Sequence, residues 1–239
     1  MSVDTYADFV QALPASKNAS NPWWCRAVLR PISMPIAWWL YRAGIRGNTV
    51  SAAGLLLCVL AACLLAYPSY AGGLVAALLF NGVALIDCVD GNIARARKET
   101  GPRGDWIDAM IGYTTYLLLP LALGFRVSFE GGEPYAMLPV ALGGLAAGFN
   151  SYTRLTHQKY EAAHLKAGIV QEPGSAQTRA ARLMDAIAKP TGLVGFMMPA
   201  LLLVVALGAE MYYLWFYAAL YLAAAVVTAT VRVTRVVRG

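Results

Sequence analysis

Six apolar segments, at about 49–67, 72–95, 105–125, 134–154, 191–209 and 212–231, constrain this chain more than any other feature. Each is near the roughly 20 residues that a helix needs to cross about 30 Å of hydrocarbon. Composition removes the soluble alternative. Hydrophobic residues make up 59% of the chain and charged residues 13%, against about 25% charged in an ordinary soluble domain. Mean hydropathy is +0.54. The expected fold is all-α: a polytopic membrane bundle of six transmembrane helices over 47–231, preceded by an N-terminal amphipathic interfacial helix.

The net charge of +6 is distributed by side. Arg42 and Arg46 precede the first span, and Arg95, Arg97, Lys98 and Arg103 join the second to the third. Arg154, Lys159, Lys166, Arg179, Arg182 and Lys189 fall between the fourth and fifth, and Arg232, Arg235 and Arg238 follow the sixth. The other side carries YPSYAGG, the turn-like RVSFEGGEPY with Arg126, Glu130 and Glu133, and Glu210. Positive charge gathers at the cytoplasmic face of membrane proteins, so both termini and the basic loops are expected in the cytoplasm of an inner-membrane protein. The basic balance points to lipid headgroups, and no nucleic-acid partner is expected.

Residues 1–20 read as a polar tail without the basic and apolar regions of a secretory signal, and 232–239 as a basic tail. Between 21 and 46, Trp23, Trp24, Trp38, Trp39 and Tyr41 alternate with Arg26, Arg30, Arg42 and Arg46, and three prolines interrupt the segment. Aromatic rings favour the headgroup level and arginine stems snorkel there. An amphipathic segment lying on the leaflet is expected, with a plain juxtamembrane linker as the alternative. The polar stretch 155–190, broken at Pro173-Gly174, is expected to pack on the same surface. Cys25, Cys58, Cys63 and Cys88 fit neither a zinc ribbon nor a disulfide framework and read as small core residues.

Chemistry concentrates in LIDCVDGNIARARKETGPRGDWIDAMIG, residues 85–112. Helical spacing places Asp87, Asp90 and Ala94 on one face, and Asp105, Asp108 and Gly112 on one face of the next span. A connection of about nine residues would bring the acidic faces together near the basic side. Clustered carboxylates repel unless a cation sits among them, and oxygen-only sites suit Mg²⁺, Mn²⁺ or Ca²⁺. Such an ion attracts phosphate. Gly91 and Ala94 lack bulk, so a ligand can approach the backbone, and Arg95 can fork onto phosphate oxygens. The alternative is a salt-bridge cluster in which Arg95, Arg97 and Arg103 balance the acids for assembly alone.

The stretch resembles the signature of the CDP-alcohol phosphotransferases, D-x2-D-G-x2-A-R-x8-G-x3-D-x3-D. Asp87, Asp90, Gly91, Ala94, Arg95, Gly104 and Asp108 fill seven of its eight fixed positions. Two weaker echoes accompany it. Asn48-Thr-Val-Ser51 resembles P-N-x-V-T, with Gly47 in place of proline. Ser151-Tyr-Thr-Arg154 resembles the S-Y-x-R of phosphatidylglycerol- and phosphatidylinositol-phosphate synthases. The resemblance implies a transferase of phospholipid or glycolipid synthesis, working with Mg²⁺ or Mn²⁺. It would move a substituted phosphate from a CDP-alcohol, most commonly CDP-diacylglycerol, to an acceptor hydroxyl with release of CMP. Asp87, Asp90 and Asp108 would hold metal, while Gly91, Ala94, Arg95, Gly104 and Asn48 join them around CDP. Arg154 would meet an acceptor phosphate or a lipid headgroup. A homodimer is also implied by the family.

The eighth position falls on Gly112, where the family has the aspartate favoured as general base. Three readings follow. In the first, Asp105, one turn before Asp108, replaces the missing ligand or base, or the acceptor carries its own base or an acidic hydroxyl, and glycine leaves space for a bulkier acceptor. Alternatively, Asp108 or water takes the proton. In the third, the chain binds CDP-alcohol or metal without turnover. A transporter would more often show inverted repeats and broken midplane helices, and a prenyltransferase of the UbiA type would need a second acidic motif. Beyond Asp108 the cytoplasmic side offers only Glu161, Glu172 and Asp185. His157 and His164 read as solvated surface residues, and Tyr212, Tyr213, Tyr217 and Tyr221 as packing and interface residues.

Overall fold

Each apolar segment is helical over most of its length in the computed structural model, which describes residues 5–13, 21–131, 137–166, 186–187 and 191–238. Among the described residues eight α-helices follow in order: α1 (Tyr6–Gln11), α2 (Arg30–Arg42), α3 (Gly47–Ala66), α4 (Tyr70–Ala96), α5 (Pro102–Gly131), α6 (Met137–Lys166), α7 (Met198–Leu207) and α8 (Glu210–Arg238). Short π-helical turns, Cys25–Leu29 and Leu193–Met197, lead into α2 and α7. Among the described residues every regular element is helical.

The breaks have local causes. Tyr67 precedes Pro68 and is extended, with ψ 130°, because proline's ring disfavours a helical residue before it. Ser69 then caps α4 by accepting a hydrogen bond from the Gly72 amide at 3.3 Å. After Ala96, Lys98 adopts φ 55°, and Pro102 opens α5 at a position where its missing N–H costs nothing. The link between α4 and α5 is therefore only 97–101, tighter than the sequence spacing suggests.

Among the described residues four helices are long and apolar enough to span: Gly47–Ala66, Tyr70–Ala96, Gly104–Glu130 and Glu210–Thr234. The expectation of six spans is not met on this measure. Helix α6 carries Asn150, Ser151, Thr153 and Arg154 around its middle, and the apolar helical stretch Leu193–Leu207 is short. Gly195 (φ −101°, ψ −113°) also breaks that stretch. The chain is multi-pass by helix length and composition.

In the bundle α3 packs on α4 and α5, α5 on α6, α6 on α8, and α4 on α7. Tyr213, Tyr217 and Tyr221 are buried in the main core, whereas Tyr212 is exposed. Cys25, Cys58 and Cys88 are buried, while Cys63 is exposed. The α5–α6 contact is backbone on backbone. A Cβ on Gly143 would lie 2.3 Å from the Pro120 carbonyl oxygen, and one on Gly124 would lie 2.6 Å from that of Pro139. Backbone cannot yield as a side chain does. Gly143→Ala is expected to destabilise the protein by about 1–3 kcal/mol, read as a lowered unfolding temperature in detergent. Gly148→Ala, whose Cβ would meet nothing within 4 Å, should leave that temperature unchanged.

The N-terminal part is more structured than a polar tail. Thr5 and Asp8 form a capping box on α1, and Phe9 is fully buried against Trp38 and Tyr41 of α2. These rings join Val50, Val89, Ile93 and Ala96 in a second apolar cluster, which fastens α1 and α2 to the acid-bearing end of α4. On α2, Ser33 and Ala37 are buried while Ile32, Ile36 and Trp39 are exposed. Exposed apolar side chains on that helix suit a surface seat. Residues 14–20, Glu133, and the 167–185 part of the polar stretch with Glu172, Arg179, Arg182 and Asp185 lie outside the described residues, as do Lys189 and the side chains of Arg103 and His164.

Candidate functional site

One cavity of about 520 Å³ gathers nearly the whole carboxylate stretch. Asp87, Asp90, Gly91, Ala94 and Arg95 come from α4, and Gly104, Asp105 and Asp108 from α5. Gly47, Asn48 and Ser51 reach it from the start of α3. Spacing alone placed the two acidic faces together, and the tight 97–101 link holds them so.

Close packing at the start of α3 sets the wall. A Cβ on Gly47 would stand 3.0 Å from the Asp90 carbonyl oxygen and 3.5 Å from the Ala94 side chain. Glycine there lets α3 lie against α4. One turn on, the Ser51 hydroxyl donates to Asp90 Oδ2 at 2.5 Å, and Asp90 is buried. Ser51 was missed as a site residue, although its spacing from Asn48 carried the signal. Gly91 has a related role. The Arg95 guanidinium lies over it, with both terminal nitrogens 3.1 Å from where a Cβ would be.

Asp108 is the α5 carboxylate whose charge acts on both Asp87 and Asp90. Asp105 lines the same cavity, and both Asp105 and Asp108 are exposed. With Glu99, five carboxylates and two guanidiniums, those of Arg30 and Arg95, face this space. That acid excess, supplied wholly by oxygen donors, fits a hard divalent cation. The carboxylates share a cavity without forming a closed shell: among the described residues no three of His, Cys, Asp and Glu group as a metal cluster. Among the described residues no ion pair within 4 Å involves these acids, and of the arginines in the salt-bridge alternative the Arg103 side chain lies outside the described residues.

Gly112 and Arg154, the residues expected on the acceptor side, do not line this cavity. A Cβ on Gly112 would meet nothing within 4 Å. No packing demand accounts for glycine at this position. Arg154 stacks over Tyr116 at 4.3 Å and Tyr113 at 5.1 Å, and its Nε donates to Asn150 Oδ1 at 2.8 Å. Tyr116 lies one turn beyond Gly112 on the same helix face, and Arg154 is held there by aromatic faces. His157 pairs with Glu161 at 3.2 Å on the exposed part of α6.

Residues outside the motif complete the cavity: Asn21, Cys25, Arg30, Cys88, Thr100, Gly101 and Val194. Cys25 Sγ lies 3.7 Å from Cys88 Sγ. The sequence offered no means of separating Arg30 from Arg26, Arg42 and Arg46, which have the same look of headgroup arginines.

A family model described as CDP-alcohol phosphatidyltransferase matches residues 45–161. None of the curated proteins compared with the chain matches it.

Proposed function

Because the chain belongs, over residues 45–161, to the CDP-alcohol phosphatidyltransferase family, an enzyme family, we propose that it is an integral-membrane transferase acting on a CDP-alcohol, with CDP-diacylglycerol the preferred donor. An acceptor hydroxyl attacks the β-phosphorus. The new P–O bond forms as the bond from that phosphorus to the bridging oxygen breaks, and CMP leaves with the bridging oxygen. The observation that carries this reading is the convergence of every matched signature residue, with Asn48, on one cavity.

Members of the family generally use a divalent metal, and Asp87, Asp90 and Asp108 are the residues assigned to hold it here. Bound there, Mg²⁺ or Mn²⁺ supplies neutralisation of charge on the diphosphate. Arg95, laid flat over Gly91, pairs with phosphate oxygens. Asn48 and Gly104 line the nucleotide side. Asp108, exposed to the cavity, accepts the proton of the acceptor hydroxyl at its carboxylate, with Asp105 the competing candidate. Arg154 takes an acceptor phosphate or a headgroup at the space beside Gly112. Six membrane crossings, with the basic ends, both termini and the site in the cytoplasm of an inner-membrane protein, follow from the charge asymmetry. A homodimer is the family's arrangement.

The test is a product assay of the reconstituted protein with radiolabelled CDP-diacylglycerol and membrane extract as acceptor source. CMP release with a new labelled lipid is expected. Chelation with EDTA should abolish both, and Mg²⁺ or Mn²⁺ should restore them. Binding of CDP without CMP release across a panel of donors and acceptors would instead favour the non-catalytic binding reading.

A further inference from the structure

The cavity's basic wall joins Arg95, inside the family match, to Arg30, which lies before the match begins at residue 45. Arg30 Nη1 donates to Asn92 Oδ1 at 3.0 Å, and Arg95 Nη2 donates to the same oxygen at 2.9 Å. Two guanidiniums thus converge on one neutral acceptor, and the Arg30 charge acts against that of Arg95 while the Asp90 and Asp108 charges act in its favour. Among the described residues neither is ion-paired with a carboxylate. Asn92 is fully buried and is itself held by Ser33 Oγ, which accepts from its Nδ2 at 3.3 Å. The arrangement is therefore fixed by α2 and α4 together.

Orphaned donors mark what is missing. Arg30 Nε, Arg95 Nε and Asn21 Nδ2 are buried without a hydrogen-bond partner, and all three residues line this cavity. Leaving a buried donor unpaired costs about 1–3 kcal/mol. Three unpaired donors and two like charges in one wall call for a ligand made of acceptors carrying negative charge. The carboxylates occupy the α4–α5 side of the same space, so cation and anion sites lie side by side.

We infer that Arg30 and Asn21, from the N-terminal segment, form with Arg95 an anion subsite for the diphosphate of the nucleotide donor. This rests on the donor reading above and deepens it: the interfacial segment is part of the substrate site as well as a membrane anchor. Arg30 grips phosphate oxygens through its fork, Asn21 adds a neutral donor, and the Phe9–Trp38–Tyr41 cluster holds α2 in place to present them.

The experiment is calorimetric titration of the full-length protein in nanodiscs, with and without Mg²⁺, using CDP, cytidine and inorganic pyrophosphate. Arg30→Gln is expected to weaken CDP and pyrophosphate by about 10–100-fold while cytidine changes by less than about twofold. Arg30→Lys should recover part of the loss, because it keeps the charge without the fork. Asn21→Ala, at a bend between α1 and α2 and outside every helix, should weaken CDP by about 2–10-fold. Unchanged CDP affinity in Arg30→Gln overturns the subsite, as does an equal loss of CDP and cytidine, which would mark Arg30 as structural. If Arg30→Gln does not fold, unchanged CDP affinity in Asn21→Ala overturns it. Pyrophosphate binding that depends on Arg30, in a protein that binds no cytidine compound, would uphold the anion subsite and refute the donor reading. Failure of the wild-type protein to bind either CDP or pyrophosphate would refute both.

Discussion

Asp108→Asn is expected to lower CMP release by about 10²–10⁴-fold, the range for loss of a positioned general base, and to weaken the apparent affinity for Mg²⁺. Asp105→Asn should lower release by less than about tenfold. The difference follows from position. Both carboxylates are exposed to one cavity, but it is Asp108 whose charge acts on Asp87 and Asp90. Asparagine keeps the volume and removes the charge, so folding is not at issue. Gly112→Asp completes the pair of tests. A Cβ at Gly112 meets nothing within 4 Å, so the variant should unfold at the wild-type temperature, and its turnover should stay within about tenfold of wild type because Asp108 already supplies the base. Loss of turnover in Asp105→Asn comparable to that in Asp108→Asn would transfer the base to Asp105. A rise well beyond tenfold in Gly112→Asp would show that the natural site lacks its base.

The acid-bearing half of the site was legible because helix periodicity is local. Asp87, Asp90 and Ala94 share a face whatever surrounds them, and a connection as short as 97–101 leaves α5 little choice but to fold back. Positions that depend on tertiary contact were not legible. Arg30 turns into the cavity because Phe9, Trp38 and Tyr41 seat α2 on α4, a docking with no signature in the order of residues 21–46. Helix α6 falls outside the four apolar span candidates for a related reason: its second half is polar and packs Arg154 on Tyr113 and Tyr116. Arg126, which the turn-like RVSFEGGEPY places in a loop, lies within α5, five residues before Gly131 ends the helix.

That misplaced arginine carries the largest expected effect on stability. Arg126 is 2% exposed and Glu210 5%. The guanidinium contacts Glu210 at 3.3 Å and Glu130 at 2.9 Å, and donates to the carbonyls of Tyr67 at 3.2 Å and Ser69 at 2.8 Å. One side chain thereby ties the α3–α4 link to α5 and to the first residue of α8. Gly73 makes room for it: a Cβ there would lie 2.7 Å from the guanidinium carbon. Arg126→Ala leaves a buried carboxylate and two carbonyls without their donor, and breaking a buried pair in this way costs about 3–5 kcal/mol. A large fall in unfolding temperature is expected, measured by dye labelling of the buried Cys25, Cys58 and Cys88 during heating. Arg126→Met combined with Glu210→Leu should recover much of it, since a matched apolar pair removes the stranded charge. Recovery would assign the loss to that charge. A single variant as stable as wild type would instead mean that water already reaches Glu210 and that the clasp contributes little to joining these helices.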